Sequence, residues 1–119
     1  MSSPVVKAKA RIADALNAVD LVEQRLKNVS QATLAGDSIL LDACAYRIGV
    51  IGEAISYAKT FAPTVFVKNS PRNFSWDEVA ALRNHLYHDY NMVTAQAVLM
   101  FAKSLAELRL ALANAQGAL

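Results

Sequence analysis

Asp37 to Phe61 reads DSILLDACAYRIGVIGEAISYAKTF, and this stretch decides the fold. Leu41, Ile48, Ile51 and Ile55 fall on one stripe at helical spacing, and no proline interrupts them. Asp37 or Ser38 can accept the unpaired amides of a first turn, so a long helix is predicted from there to about Phe61. Gly49 and Gly52, three residues apart, cost helix propensity but let a neighbouring helix approach closely. Asp42, Arg47 and Glu53 break the apolar run, which therefore falls short of the roughly 18–20 uninterrupted apolar residues a bilayer requires.

Three more helices are predicted around it. Ser3-Pro4 forms a cap and first-turn pair, and Ile12, Leu16, Val19, Val22 and Leu26 then recur at steps of three and four to about Val29. Asn28 to Gly36, rich in small and polar residues, reads as a turn. Pro63 to Phe74, with Pro63, Asn69, Pro71 and Asn73, reads as the one irregular connection. Its Lys68 and Arg72 either face a polyanion or are simply solvated. Ser75-Trp76-Asp77-Glu78 matches a capping box, in which Ser75 accepts a turn amide and Glu78 reaches back to the Ser75 amide. Asp77 and Glu78 also suit the positive end of the helix dipole. That third helix is expected to run to His88 or Tyr90. Thr94 can cap a fourth, through Val98, Phe101, Leu105, Leu108 and Leu112, with Gly117 past its end. No strand alternation exceeds Thr64–Val67. The expected class is all-α, an up-and-down four-helix bundle with room for an extra short helix, in one domain over residues 1–119.

Composition narrows the function classes. Hydrophobic residues make up 55% of the chain and charged ones 18%, a balance that argues against disorder. For so small a domain it also implies more apolar surface than one protomer covers, for which a subunit interface is the natural sink. A net charge of +2 is too small for a duplex-coating protein but leaves room for a local phosphate site. Cys44 is the lone cysteine and reads as a packed thiol. Met1-Ser2-Ser3-Pro4 lacks the charged-then-apolar pattern of a secretory leader, so a cytoplasmic location without membrane association is expected.

Arg83-Asn84-His85-Leu86-Tyr87-His88-Asp89-Tyr90 concentrates the chemistry: a permanent cation, both histidines of the chain, a carboxylate and two phenols. On a wheel of about 100° per residue, Val79, Leu82, Leu86 and Tyr90 share the apolar side, whereas Arg83, Tyr87, Asn91, Asn84 and His88 form a polar strip beside it. His85 and Asp89 lie beyond the strip, four residues apart, and read as a surface pair of little energetic weight. His88, at a helix C-terminus that favours the imidazolium, suits general acid–base work near neutrality. Arg83 either lays its stem on the core with its head in water or offers its planar fork to phosphate oxygens that gain charge in a transition state. Tyr90 is either a half-buried aromatic with its hydroxyl satisfied or a cleft residue open to modification.

Five residues separate Arg83 from His88, about 140° of turn and a rise of about 7.5 Å. One helix thus aims them poorly at one atom. Pairing the helix with a two-fold copy brings two arginines and two histidines to a shared cleft, so an obligate homodimer is expected. Other chemistries fare worse. There is no HExxH or cysteine–histidine ligand spacing, so no metal site is expected, and no glycine-rich phosphate loop appears. Ser75 is explained as a cap rather than a nucleophile.

The spacing Arg83-(four residues)-His88-Asp89-Tyr90 resembles the R-x4-H-x-Y signature of the HepT-like branch of the HEPN superfamily, small all-α ribonuclease toxins paired with a minimal nucleotidyltransferase antitoxin. Ile51-Gly52-Glu53-Ala54 resembles the IGEA stretch of that family, and Trp76, Leu82-Arg83-Asn84 and the helix after Thr94 follow in family-like order. The resemblance covers roughly residues 35–112. It implies a metal-independent endoribonuclease without cofactor, acting on RNA through attack by the 2′-hydroxyl on the adjacent phosphate. Arg83 would stabilise the phosphorane and His88 would move the proton. Asn84, Asp89 and Glu53 would support the site, and Tyr90 would be adenylylated by the antitoxin. The Pro63–Phe74 connection is longer and more basic than the family pattern. The alternative reading is a non-catalytic helical subunit that holds a nucleotide or substrate for a nucleotidyltransferase.

Overall fold

The computed structural model describes residues 3–88 and 93–119, the side chains of 85–88 excepted. Seven helices make up its regular structure among the described residues: α1 (Pro4–Leu26), α2 (Gln31–Ala35), α3 (Ser38–Phe61), α4 (Pro63–Lys68), α5 (Trp76–His88), α6 (Ala95–Ala102) and α7 (Leu105–Gly117). The all-α class read from the periodicity is the class observed.

α1 and α3 form the spine. They run antiparallel, since Lys7 lies 5.4 Å over the Phe61 ring and Arg11 lies 5.0 Å over the Tyr57 ring, whereas Arg25 is close enough to act on Cys44 further back along α3. Ile12, Ala15, Val19 and Val22 of α1 share one apolar cluster with Cys44, Ile48, Ile51, Ile55 and Ala58 of α3. Burial pushes the Cys44 thiol up from its ordinary range against the opposing effect of Arg25, as expected of a packed cysteine. α5 packs on α3, α7 lies along α1, and α6 reaches α2. Arg109 joins α7 to α1 through a fork on Asp20, with contacts of 2.9 and 3.1 Å, and through Glu23 at 3.0 Å.

The caps fall where the residue chemistry puts them. Ser3 accepts from the Val6 amide at 3.2 Å, Asp37 from Leu40 at 3.0 Å, Ser75 from Glu78 at 3.0 Å and Thr94 from Ala97 at 3.1 Å. Each contributes about 1 kcal/mol. Of the box at Ser75, only the serine half is formed among the described residues; Glu78 does not reach back.

Four expectations need correction. The Asn28–Gly36 turn contains a helix of its own: Asn28 takes φ of 59°, Ser30 caps α2, and α2 buries Leu34. The Pro63–Phe74 connection opens with α4, because a proline fits the first helical turn, where its missing amide has no partner to lose. The fourth helix is two. Lys103 and Ser104 donate to Met100 and Phe101, three residues back, at 3.3 and 2.9 Å, and the chain bends there, α6 reaching α2 and α3 as well as α1 while α7 lies along α1. Gly117 is the last residue of α7 rather than the first beyond it.

Candidate functional site

The site is built on α5, and the segment before α5 fixes where it starts. Phe66 and Trp76 are both buried, with rings edge to face and centroids 4.9 Å apart. The Trp76 indole N–H donates to the Phe66 carbonyl at 2.8 Å, so the large aromatic enters the core with its polar group satisfied. Between them, Glu107 of α7 accepts from the backbone amides of Arg72 and Asn73 at 2.9 and 3.1 Å and from the Asn73 side-chain amide. A connection that reads as irregular is therefore tied down at both ends. Lys68 and Arg72 themselves are exposed. Lys59 of α3 pairs with Asp77 in the first turn of α5.

One contact then sets the depth of Arg83. A side-chain carbon on Gly52 would lie 2.8 Å from the Val79 carbonyl oxygen, 3.2 Å from that of Ala80 and 3.3 Å from the Arg83 amide nitrogen. The hydrogen on Gly52 thus lets the α5 backbone rest directly on α3 at the turn that carries Arg83. The sequence marks Gly52 as a close-approach residue without saying which helix approaches. Arg83 is partly buried beside this contact and Asn84 is exposed.

His88 is the last residue of α5. Backbone geometry places it about 7.5 Å along the axis and about 140° around from Arg83. Its side chain, like that of His85, lies outside the described residues, as do Asp89 and Tyr90 altogether. Arg83, partly buried, and Asn84, exposed, are thus neighbours on α5, while the meeting of guanidinium and imidazole falls outside what the structure describes.

Glu53 follows Gly52 but faces elsewhere. It lines a groove of about 320 Å³ between α1 and α3, with Arg11, Asp14 and Asn17 on one wall and Tyr46, Arg47, Val50 and Ala54 on the other. Arg83 is not among the lining residues. The residues of this groove carried no motif in the sequence apart from Glu53 and Ala54, because the groove exists only once α1 and α3 are laid side by side. A smaller apolar pocket of about 170 Å³, lined by Phe74, Glu78, Val79, Leu82, Phe101 and Ser104, flanks α5 on its other side. Among the described residues, no three His, Cys, Asp or Glu side chains come close enough to hold a metal ion. No helix among them is long and apolar enough to cross a membrane.

A family model described as "Ribonuclease HepT-like" matches residues 15–114. The match takes in the second half of α1, which carries no diagnostic residue of its own. Comparison with curated proteins finds no match, and comparison with solved structures finds none.

Proposed function

The chain belongs to the HepT-like ribonuclease family, and from that premise we propose that it is the toxin of a type II toxin–antitoxin pair, a metal-independent endoribonuclease of the cytoplasm that is switched off by a nucleotidyltransferase antitoxin. The observation that supports this most is the seating of α5 on Gly52, which fixes the depth of the turn that carries the half-buried Arg83. A backbone so placed gives the guanidinium a fixed starting point from which its fork can reach a phosphate.

The reaction follows from the groups. The His88 imidazole takes the proton of an RNA 2′-hydroxyl, and the resulting oxygen attacks the adjacent phosphorus. Negative charge builds on the equatorial oxygens of the phosphorane, where the planar fork of Arg83 makes paired charge-assisted hydrogen bonds. The P–O5′ bond breaks, and the leaving oxygen takes a proton from an imidazolium. The products are a 2′,3′-cyclic phosphate and a 5′-hydroxyl. The proton transfers need no metal, because an imidazole near neutrality can both accept and donate. Asn84 and Asp89 support the strip. The homodimer answers the 140° between Arg83 and His88, since two copies of α5 across a two-fold axis supply four groups to one cleft. Substituting Arg83→Ala or His88→Ala is expected to lower RNA cleavage by at least a hundredfold, the scale of losing one preorganised charge or one acid–base group. The assembly and the circular dichroism spectrum should not change. Cleavage by either variant at the wild-type rate would remove that residue from the site.

Tyr90 is the modification site in this reading. An added adenylyl group would block the RNA cleft with bulk and negative charge, which competes with the RNA phosphate. Tyr90→Phe is expected to retain cleavage and to gain no mass on incubation with the antitoxin and ATP. An adduct of undiminished mass on the variant would assign the modification to another residue.

A further inference from the structure

The apolar pocket beside α5 carries two polar side chains on its lining, Glu78 and Ser104, among Phe74, Val79, Leu82 and Phe101. Both stand where a helix begins, and neither serves that beginning. Glu78 holds the position from which a capping box reaches back, yet among the described residues only the Ser75 half of the box is formed. Ser104 precedes α7, and its hydroxyl makes no cap bond. Glu78 is exposed, whereas Ser104, Phe74 and Phe101 are half-buried.

The pocket also lies within one helical turn of Arg83. Leu82 adjoins Arg83 in sequence and Val79 stands four residues before it, a spacing that puts Cβ atoms about 5–6 Å apart. In RNA only the sugar separates a base from the phosphate on the same nucleotide. A strand with its phosphate at Arg83 therefore brings a base to this pocket.

We propose that the pocket holds a guanine base beside the scissile phosphate, with the Glu78 carboxylate accepting from two adjacent N–H groups of that base. The inference rests on the ribonuclease reading and adds a base preference to it. The pocket volume of about 170 Å³ exceeds the roughly 150 Å³ that admits a benzene ring, so a flat base ring can enter. Phe74 and Phe101 offer it aromatic surface, which takes any base. The polar groups decide which one. An ionised carboxylate only accepts hydrogen bonds. Guanine sets two neighbouring donors, N1–H and the N2 amine, against its two oxygens. Adenine and cytosine place a ring-nitrogen lone pair beside their amine, and uracil places a carbonyl oxygen on each side of its N–H. Each of those lone pairs would face the carboxylate, so the group that favours guanine disfavours the other three. The Ser104 hydroxyl can donate to the guanine carbonyl.

RNA oligonucleotides that differ only in the bases flanking one cleaved bond test the pocket, with 2′-deoxy counterparts to read binding alone. Guanine on one side of the bond is expected to speed cleavage about tenfold over the other bases, the scale of one bidentate base contact, and to tighten deoxy-strand binding similarly. Inosine, which keeps N1–H but lacks the N2 amine, should forfeit most of that preference. Glu78→Gln should bring the ratio between guanine and the other bases close to one, whereas a folding defect would lower every substrate together. Phe101→Ala should weaken binding of all strands about fivefold or more. Cleavage without base preference, or a guanine preference that survives Glu78→Gln, would overturn the proposal and leave the ribonuclease reading intact. So would variants that keep the preference but no longer bind the antitoxin, which would give the pocket to that protein. If no RNA is cut while deoxy strands are still selected for guanine through Glu78, the ribonuclease reading falls and the pocket stands.

Discussion

Gly52 and Arg83 are joined by a backbone contact, and the joint consequence is sharper than either residue suggests alone. Gly52→Ala removes a residue that disfavours helix, a gain of about 1 kcal/mol. It also drives a methyl group to within 2.8 Å of a backbone oxygen, and overpacking of that kind costs about 1–3 kcal/mol. Rigid backbone rather than a flexible side chain lies opposite, so α5 must shift away. The variant is expected to melt a few degrees lower and to lose RNA cleavage about tenfold or more, because displacing a catalytic group by about 1 Å costs up to a hundredfold. A Gly52→Ala protein that melts higher and cuts RNA normally would show that α5 does not rest on this contact. At this scale the sequence is legible for Arg83, because a guanidinium, imidazoles and phenols crowd one otherwise apolar helix. It is silent on Glu107, whose capture of the Arg72 and Asn73 amides joins residues more than thirty positions apart. No local pattern announces such a contact.

At the scale of the element, what the sequence conveys depends on length. α1 and α3 span 23 and 24 residues, enough turns for the apolar stripe to declare itself and for Ser3 and Asp37 to mark the starts. α2 and α4, with 5 and 6 residues, are shorter than two turns, so periodicity has nothing to repeat. Their signals are single residues, Ser30 as a cap and Pro63 in a first turn, and both are equally at home in a loop. The break between α6 and α7 is a different kind of omission. The apolar spacing continues from Val98 through Leu105 to Leu112 without interruption, and neither glycine nor proline stands at Lys103–Ser104. Tertiary packing bends the chain there, with Val98 buried in α6 and Leu108 and Leu112 buried in α7. A pattern read along one helix cannot say that its first half reaches α2 and α3 as well as the α1 that both halves touch.

For the whole molecule, the division of labour runs through α3. One side of it receives α5 and sets the depth of Arg83. The opposite side, around Val50, forms one wall of the groove against α1 with Tyr46, Arg47 and Glu53. Glu53, next to Gly52 in sequence, belongs by position to the groove against α1 and not to the side that carries Arg83. The family resemblance was legible from Arg83, His88 and the Ile51–Ala54 stretch; the outward face was not, because exposure of Tyr46 and Tyr57 is a property of the packed helices. The central claim is that RNA is cut by its own 2′-hydroxyl under the guidance of Arg83 and His88. It is tested most directly by offering the purified protein, in the presence of a metal chelator, an RNA oligonucleotide and its fully 2′-deoxy counterpart, and analysing the product ends. The account predicts cleavage of the RNA alone, to a 2′,3′-cyclic phosphate and a 5′-hydroxyl. Cleavage of the deoxy strand, or 5′-phosphate ends on the RNA products, would contradict it.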